Sequence, residues 1–196
     1  MLRRLSLMAL AVTTLGVAAC KDSTAITASL AVITDTLVAY AFSGTEPNLP
    51  TALASVNGTT VPADGSTAYD VVFDIDFTDP SGQHVHIIPA RLIVNPVAGS
   101  HSVGILTSTE VFDSIKVAPN VYYRPNTTTT VSVGQPFVLQ MHRSSGATIC
   151  LYLTDPRVYA KVIIDSVNLV NRSIHFRQTV DPNCGYRSLV DGLPTH

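Results

Sequence analysis

The chain of 196 residues has no tryptophan and only two glutamates, Glu46 and Glu110, and charged residues make up 13% of it. This shortage of helix-favouring charged residues argues against a helical protein. No run of Lys or Arg and no basic patch occurs, so a nucleic acid is not an expected partner. The usual catalytic signatures are missing too. There is no Gly-x-Ser-x-Gly elbow, phosphate loop or His-Glu-x-x-His helix. Ser-x-x-Lys fails because Asp113 stands three residues before Lys116 and Val158 three before Lys161. Glu46 and Glu110 are isolated, so no glutamate acid/base pair is expected. These absences predict a chain that is not an enzyme. No internal repeat and no dividing linker is found, which predicts one domain.

What is present begins with the N-terminus, MLRRLSLMALAVTTLGVAAC. Arg3 and Arg4 precede an uncharged, mostly apolar stretch from Leu5 to Val17, followed by small residues, the layout of an export signal. The stretch is shorter than the ~20 residues of a membrane-spanning helix. Val17-Ala18-Ala19-Cys20 resembles the lipobox of bacterial lipoproteins. That resemblance implies cleavage before Cys20, diacylglyceryl modification of its thiol and, in many bacteria, a further acyl chain such as palmitate on the new amine. Two or more acyl chains anchor a protein stably. Lys21 stands where lipoproteins held at the inner membrane often carry aspartate, so the family pattern implies the outer membrane over the inner one. Residues 1–19 thus read as a leader, 20–28 as a lipidated tether and 29–196 as the folded domain.

Losing the leader leaves 177 residues and lowers Lys+Arg from 12 to 10 against 14 acidic residues, a formal balance of −4. The length suffices for one real core. Pro and Gly together number 23 and β-branched residues abound, the composition of strands joined by turns. With Cys20 lipidated, Cys150 and Cys184 remain. In an oxidising compartment they are expected to pair, closing a loop worth roughly 3–4 kcal/mol. Two buried thiols or a two-cysteine metal site are the other readings.

The pattern predicts a first strand within 29–42, a short one at Leu53–Val56, and further strands at 69–78, 83–94, 102–107, 129–133, 136–142, 148–154, 158–169 and 173–180. Asn57-Gly58 and Asp64-Gly65 mark turns, and Thr127 to Thr130 reads as a loop or an edge strand. One helical turn is expected at 109–116, with Ser108 as its cap. This spacing predicts an all-β antiparallel sandwich or partly closed barrel with at most one short helix.

Two hairpins carry the finest detail. A two-residue turn at Asn171-Arg172 would set Leu169 opposite Ile174 and Val167 opposite Phe176 on one face. His175 would lie on the polar face. In DIDFTDPSGQHVHI, residues 74–87, a three-residue loop at Pro80-Ser81-Gly82 would set Phe77 opposite Val85 and Ile75 opposite Ile87. Asp76 would then face His86 and Thr78 would face His84. Asp74, Asp76, His84 and His86 share the outer face, with Asp79 at the turn. Histidines at i and i+2 with a cross-strand carboxylate suit zinc or copper. The plainer reading is a polar face with an Asp76–His86 pair. Asp74, Asp76 and Asp79 do not match a calcium loop.

VSVGQPFVLQM, YAKVIIDSVN and SIHFR, within residues 131–177, resemble the C-terminal part of HmuY-type bacterial surface lipoproteins. The resemblance implies an all-β extracytoplasmic domain and haem binding through two histidines, with His84, His86, His101 and His142 as the residues available. Val158 stands where that family often has glycine. Taken together, the sequence predicts a lipid-anchored extracytoplasmic binding or envelope-structural protein with no cofactor. Its partners would be the membrane and a protein or small ligand. The alternative is a zinc, copper or haem binder on the His84–His86 face.

Overall fold

Alternating apolar residues produce strands here because one face of each can be buried while the other stays solvated. The computed structural model describes residues 28–93, 102–143, 150 and 156–194; the leader predicted at 1–19, Cys20, His101 and most of the strand predicted at 148–154 lie outside these. The strands are β1 (Ile33–Tyr40), β2 (Ala52–Ala54), β3 (Thr59–Val61), β4 (Val71–Ile75), β5 (His84–Pro89), β6 (Val103–Thr107), β7 (Arg124–Pro125), β8 (Thr129–Ser132), β9 (Pro136–His142), β10 (Arg157–Asn168) and β11 (Ser173–Asp181). They form a six-stranded sheet, β1-β11-β10-β9-β6-β7, and a five-stranded sheet, β3-β2-β4-β5-β8. All pairings are antiparallel. The fold is an all-β sandwich, and the described residues close no barrel.

Between the sheets, Phe73 of β4 meets Phe176 of β11 with ring centroids 4.7 Å apart. Leu53, Ile87, Leu139 and Ile164 pack around them, all buried. Removing either ring would cost about 3–5 kcal/mol in lost burial and cavity. A second apolar layer covers the outer face of the six-stranded sheet. There Ile115, Ala118 and Leu189 sit on Val138 and Tyr159.

The sandwich has two unlike poles. β1 enters at one, where Val32 pairs with Gly192 and Ile33 lies opposite Val180. It leaves at the other, where Tyr40 lies opposite Ser173. Eight strand residues separate these ends, or roughly 25 Å at 3.3 Å per residue. The first is named the tether pole after the tether predicted at 20–28. The second, the loop pole, gathers the connections at 41–50, 76–83, 133–135 and 169–172.

Both hairpins at the loop pole differ from their predicted register. In β4–β5, Asp74 lies opposite His86 and Ile75 opposite Val85. The Asp76 amide donates to the His84 carbonyl, so the connection is Phe77–Gln83 rather than three residues. The cause is side-chain capture of backbone donors. Asp76 accepts from the Thr78 amide at 3.0 Å, and Asp79 accepts from the amides of Ser81 and Gln83, each at 3.0 Å. Such turns compete with a ladder for the same N–H groups. The shift is two residues, so the faces keep their assignment, but Phe77 loses its place opposite Val85. In β10–β11, Val167 lies opposite Ile174 and Ser166 opposite His175, with a bulge at Asp165. The connection is Leu169–Arg172, because Asn168 Oδ1 accepts from the amides of Val170 and Asn171. Leu169 therefore does not face Ile174. His175 is exposed, as its polar-face placement requires.

Smaller corrections follow the same logic. β1 is shorter than 29–42 and β2 covers Ala52–Ala54 instead of Leu53–Val56. The helical turn at 109–116 shrinks to a 3-10 turn at Phe112–Ser114. Ser108 does not cap it; its hydroxyl accepts from the Glu110 amide at 3.0 Å. Thr129 and Thr130 belong to β8, an edge strand of the five-stranded sheet.

Candidate functional site

The outer face of the β4–β5 hairpin carries Asp74, Asp76, His84 and His86, as alternation dictates, but these groups do not converge. Asp74 accepts from the Ser43 amide at 3.1 Å and from the Ser43 hydroxyl, which fastens the 41–50 connection to β4. His84 Nδ1 lies 2.8 Å from Asp79 Oδ2, not against Asp76. His86 Nδ1 lies 2.9 Å from the Thr130 hydroxyl of β8, and its Nε2 is 3.8 Å from Asp76 Oδ2. Each histidine thus serves a separate partner. Among the described residues no three His, Cys, Asp or Glu side chains are arranged to hold a metal ion. His142 ends β9 at the tether pole, on the other sheet from His84, so these two cannot sandwich one haem.

Asp79 is the residue that sequence reasoning undervalued. Its carboxyl is held well below the usual carboxylate range, first by the Ser81 hydroxyl and then by the Ser81 amide, with lesser help from His84 and the Gln83 amide, against an opposing effect of desolvation. Asp76 is lowered chiefly by the Thr78 hydroxyl and amide, with a smaller contribution from His86. Both stay ionised throughout the neutral range. The Asp-x-Ser and Asp-x-Thr spacings of 79–81 and 76–78 are the signal that could have identified them as loop-forming.

These pinned loops carry apolar side chains into solvent. Phe77 is 47% exposed, Leu169 41% and Val170 96%. They form one surface across the two sheets. The Arg172 guanidinium lies over the Phe77 ring, 4.3 Å from its centroid, and also donates to the Ser43 carbonyl. Leu169 packs on Gly82, where φ is +64° and a Cβ would come within 2.9 Å of a Leu169 methyl. Glycine is required there for both conformation and close approach.

The tether pole is built otherwise. Cys150 and Cys184 are joined by a disulfide with Cα atoms 5.7 Å apart. Asn183 Oδ1 accepts from the amides of Ser29 and Leu30, and its Nδ2 donates to the Leu30 carbonyl and to Asp181. Asp181 is fully buried, and burial raises its pKa.

A third polar group, also missed in sequence, is Lys161, only 4% exposed within the strand run RVYAKVII. Its Nζ donates to the carbonyls of Phe112 at 3.2 Å and Ile115 at 3.0 Å and lies 4.6 Å from the Phe112 ring centroid. It clamps the 3-10 turn onto the sheet. A cleft of about 240 Å³ beside it is lined by charges of both signs, Lys116 and Arg177 against Asp113 and Asp191. Thr34 in the same cleft donates from its hydroxyl to Asp191 at 2.7 Å, and Lys161 serves the fold.

Compared with protein-family models, with curated proteins and with solved structures, this chain matches none.

Proposed function

We propose that this protein is a lipid-anchored extracytoplasmic β-sandwich that works by binding rather than by catalysis, with the loop pole as its working end. One observation carries the reading: the chain enters the domain at the tether pole, while exposed Phe77, Leu169 and Val170 stand at the opposite end on loops pinned by side-chain hydrogen bonds. Cys20 precedes Val32 by twelve residues, so a chain held there is attached to the membrane at the pole opposite those loops. Solvated apolar residues on a rigid scaffold suit recognition, since little ordering entropy remains to be lost on contact. The lipobox-like VAAC and the Cys150–Cys184 bridge both fit an exported chain.

The test is acylation. Cells expressing the chain are fed an alkyne fatty acid, and the protein is followed by label and by detergent phase partition. Wild type should carry label and partition with detergent, and Cys20→Ser should do neither. A wild-type chain without label, or a Cys20→Ser chain that keeps it, rejects the anchor.

A further inference from the structure

We infer that the loop pole is a docking surface for a partner protein that presents an apolar side chain flanked by lysine or arginine. This deepens the reading of that pole as the working end and rests on it. The apolar centre is Phe77, Leu169 and Val170, held on two hairpins from different sheets that touch through Leu169 and Gly82. Its surroundings are acidic. Glu46, Asp76 and Asp79 lie in the connections of this pole and Asp74 at the adjoining end of β4, whereas the one cation in those connections is Arg172. That cation is already engaged by the Phe77 ring and the Ser43 carbonyl.

Charge decides between occupants. A second copy docking pole to pole would set Asp76 and Asp79 against their own copies, and like charges in contact are unfavourable. An anionic lipid surface would meet the same carboxylates, and a tethered chain carries this pole on the side away from its own membrane. A partner with a cationic rim gains where the other two lose. An apolar side chain on it would pack on exposed Phe77, Leu169 and Val170, as contact centres are usually built.

The experiment uses the full chain, reconstituted in zwitterionic nanodiscs, and three labelled hexapeptides: KLFKLK, its polar match KSSKSK and its acidic match ELFELE. Fluorescence anisotropy is read at 50 and 300 mM NaCl. The expected result is at least tenfold tighter binding of KLFKLK than of either match, weakened severalfold by the higher salt. Phe77→Ser/Leu169→Ser/Val170→Ser should lose that preference. Val170→Lys, at a position too exposed to disturb folding, should weaken KLFKLK at least fivefold. Equal binding of all three peptides, a preference for ELFELE, or full binding by the variants overturns the proposal. So does a concentration-dependent dimer, or binding to anionic vesicles, that the triple variant abolishes. Failure to enter nanodiscs would reject the anchor instead, and peptide binding can still be read on that protein.

Discussion

The two poles of the sandwich end the same ladders in opposite ways. At the tether pole polar groups are shared through buried side chains: buried Asn183 bridges buried Asp181 to Ser29 and Leu30 at the surface, Arg143 lies 3.6 Å from buried Asp70, and a disulfide ties Cys150 to Cys184. At the loop pole the polar groups are exposed and local. Asp76, Asp79 and Asn168 each hold the few residues that follow them, and apolar side chains are turned outward. Buried networks fix a chain against the core, because breaking one leaves unsatisfied groups in a low dielectric. Local caps fix only the loop that contains them. The first kind should govern global stability and the second the shape of one surface.

That contrast can be broken by substitution. The largest effect is expected from Cys150→Ser/Cys184→Ser, which should cost roughly 3–4 kcal/mol by the loop-entropy argument and lower the melting temperature of the oxidised protein by many degrees. An unchanged melt would show that the bridge does not close the tether pole. Asn183→Ala comes next, at about 2 kcal/mol, since it strands the Leu30 carbonyl and two amides. Denaturant midpoints measure it. Asp79→Ala should leave the global melt nearly unmoved while the Ser81 and Gln83 amides exchange hydrogen much faster, visible by NMR. A large global loss there would erase the distinction between the poles. Val170→Ser should change stability by no more than about 0.5 kcal/mol, as exposed sites usually do.

Acid sharpens the same comparison. The carboxyls of Asp76 and Asp79 are depressed in the folded state, so their caps are fully present above the ordinary carboxylate value near 3.8 and weaken as the pH falls below it. Asp181 has the opposite sign: its raised pKa means that ionisation is unfavourable, and this cost disappears on acidification. As the pH falls from 4 down through the depressed values of Asp76 and Asp79, the loop pole should therefore lose order before the Asp181–Asn183 region does. Chemical shifts of the Thr78, Ser81 and Asn183 amides follow the two regions separately.

Much of the fold was legible. PFVLQMH at 136–142 is β9 as predicted, and β10 and β11 lie within one residue of their predicted bounds, because long runs with a buried face leave little choice of period. The outer-face assignment of Asp74, Asp76, His84 and His86 also held, since a two-residue shift preserves the side on which each residue lies. The turn lengths were not legible. Whether Asp79 or Asn168 accepts local amides, or leaves them to the ladder, is a competition of small energies that alternation does not record. β3 and β7, at three and two residues, are too short to show a period. The site was the least legible part. The chelating spacing of the histidines was visible, but their separate engagement by Asp79 and Thr130 was not. Two of the three residues of the proposed surface, Phe77 and Leu169, are those whose predicted core places the longer loops took away.

The central claim is that the loop pole is the working surface, and hydrogen–deuterium exchange on the full chain with saturating KLFKLK tests it most directly. The expected result is slowed exchange confined to residues 76–83 and 169–172, with the tether pole and the β8 edge unchanged. Protection at the tether pole or along β8, or none at all, would contradict it.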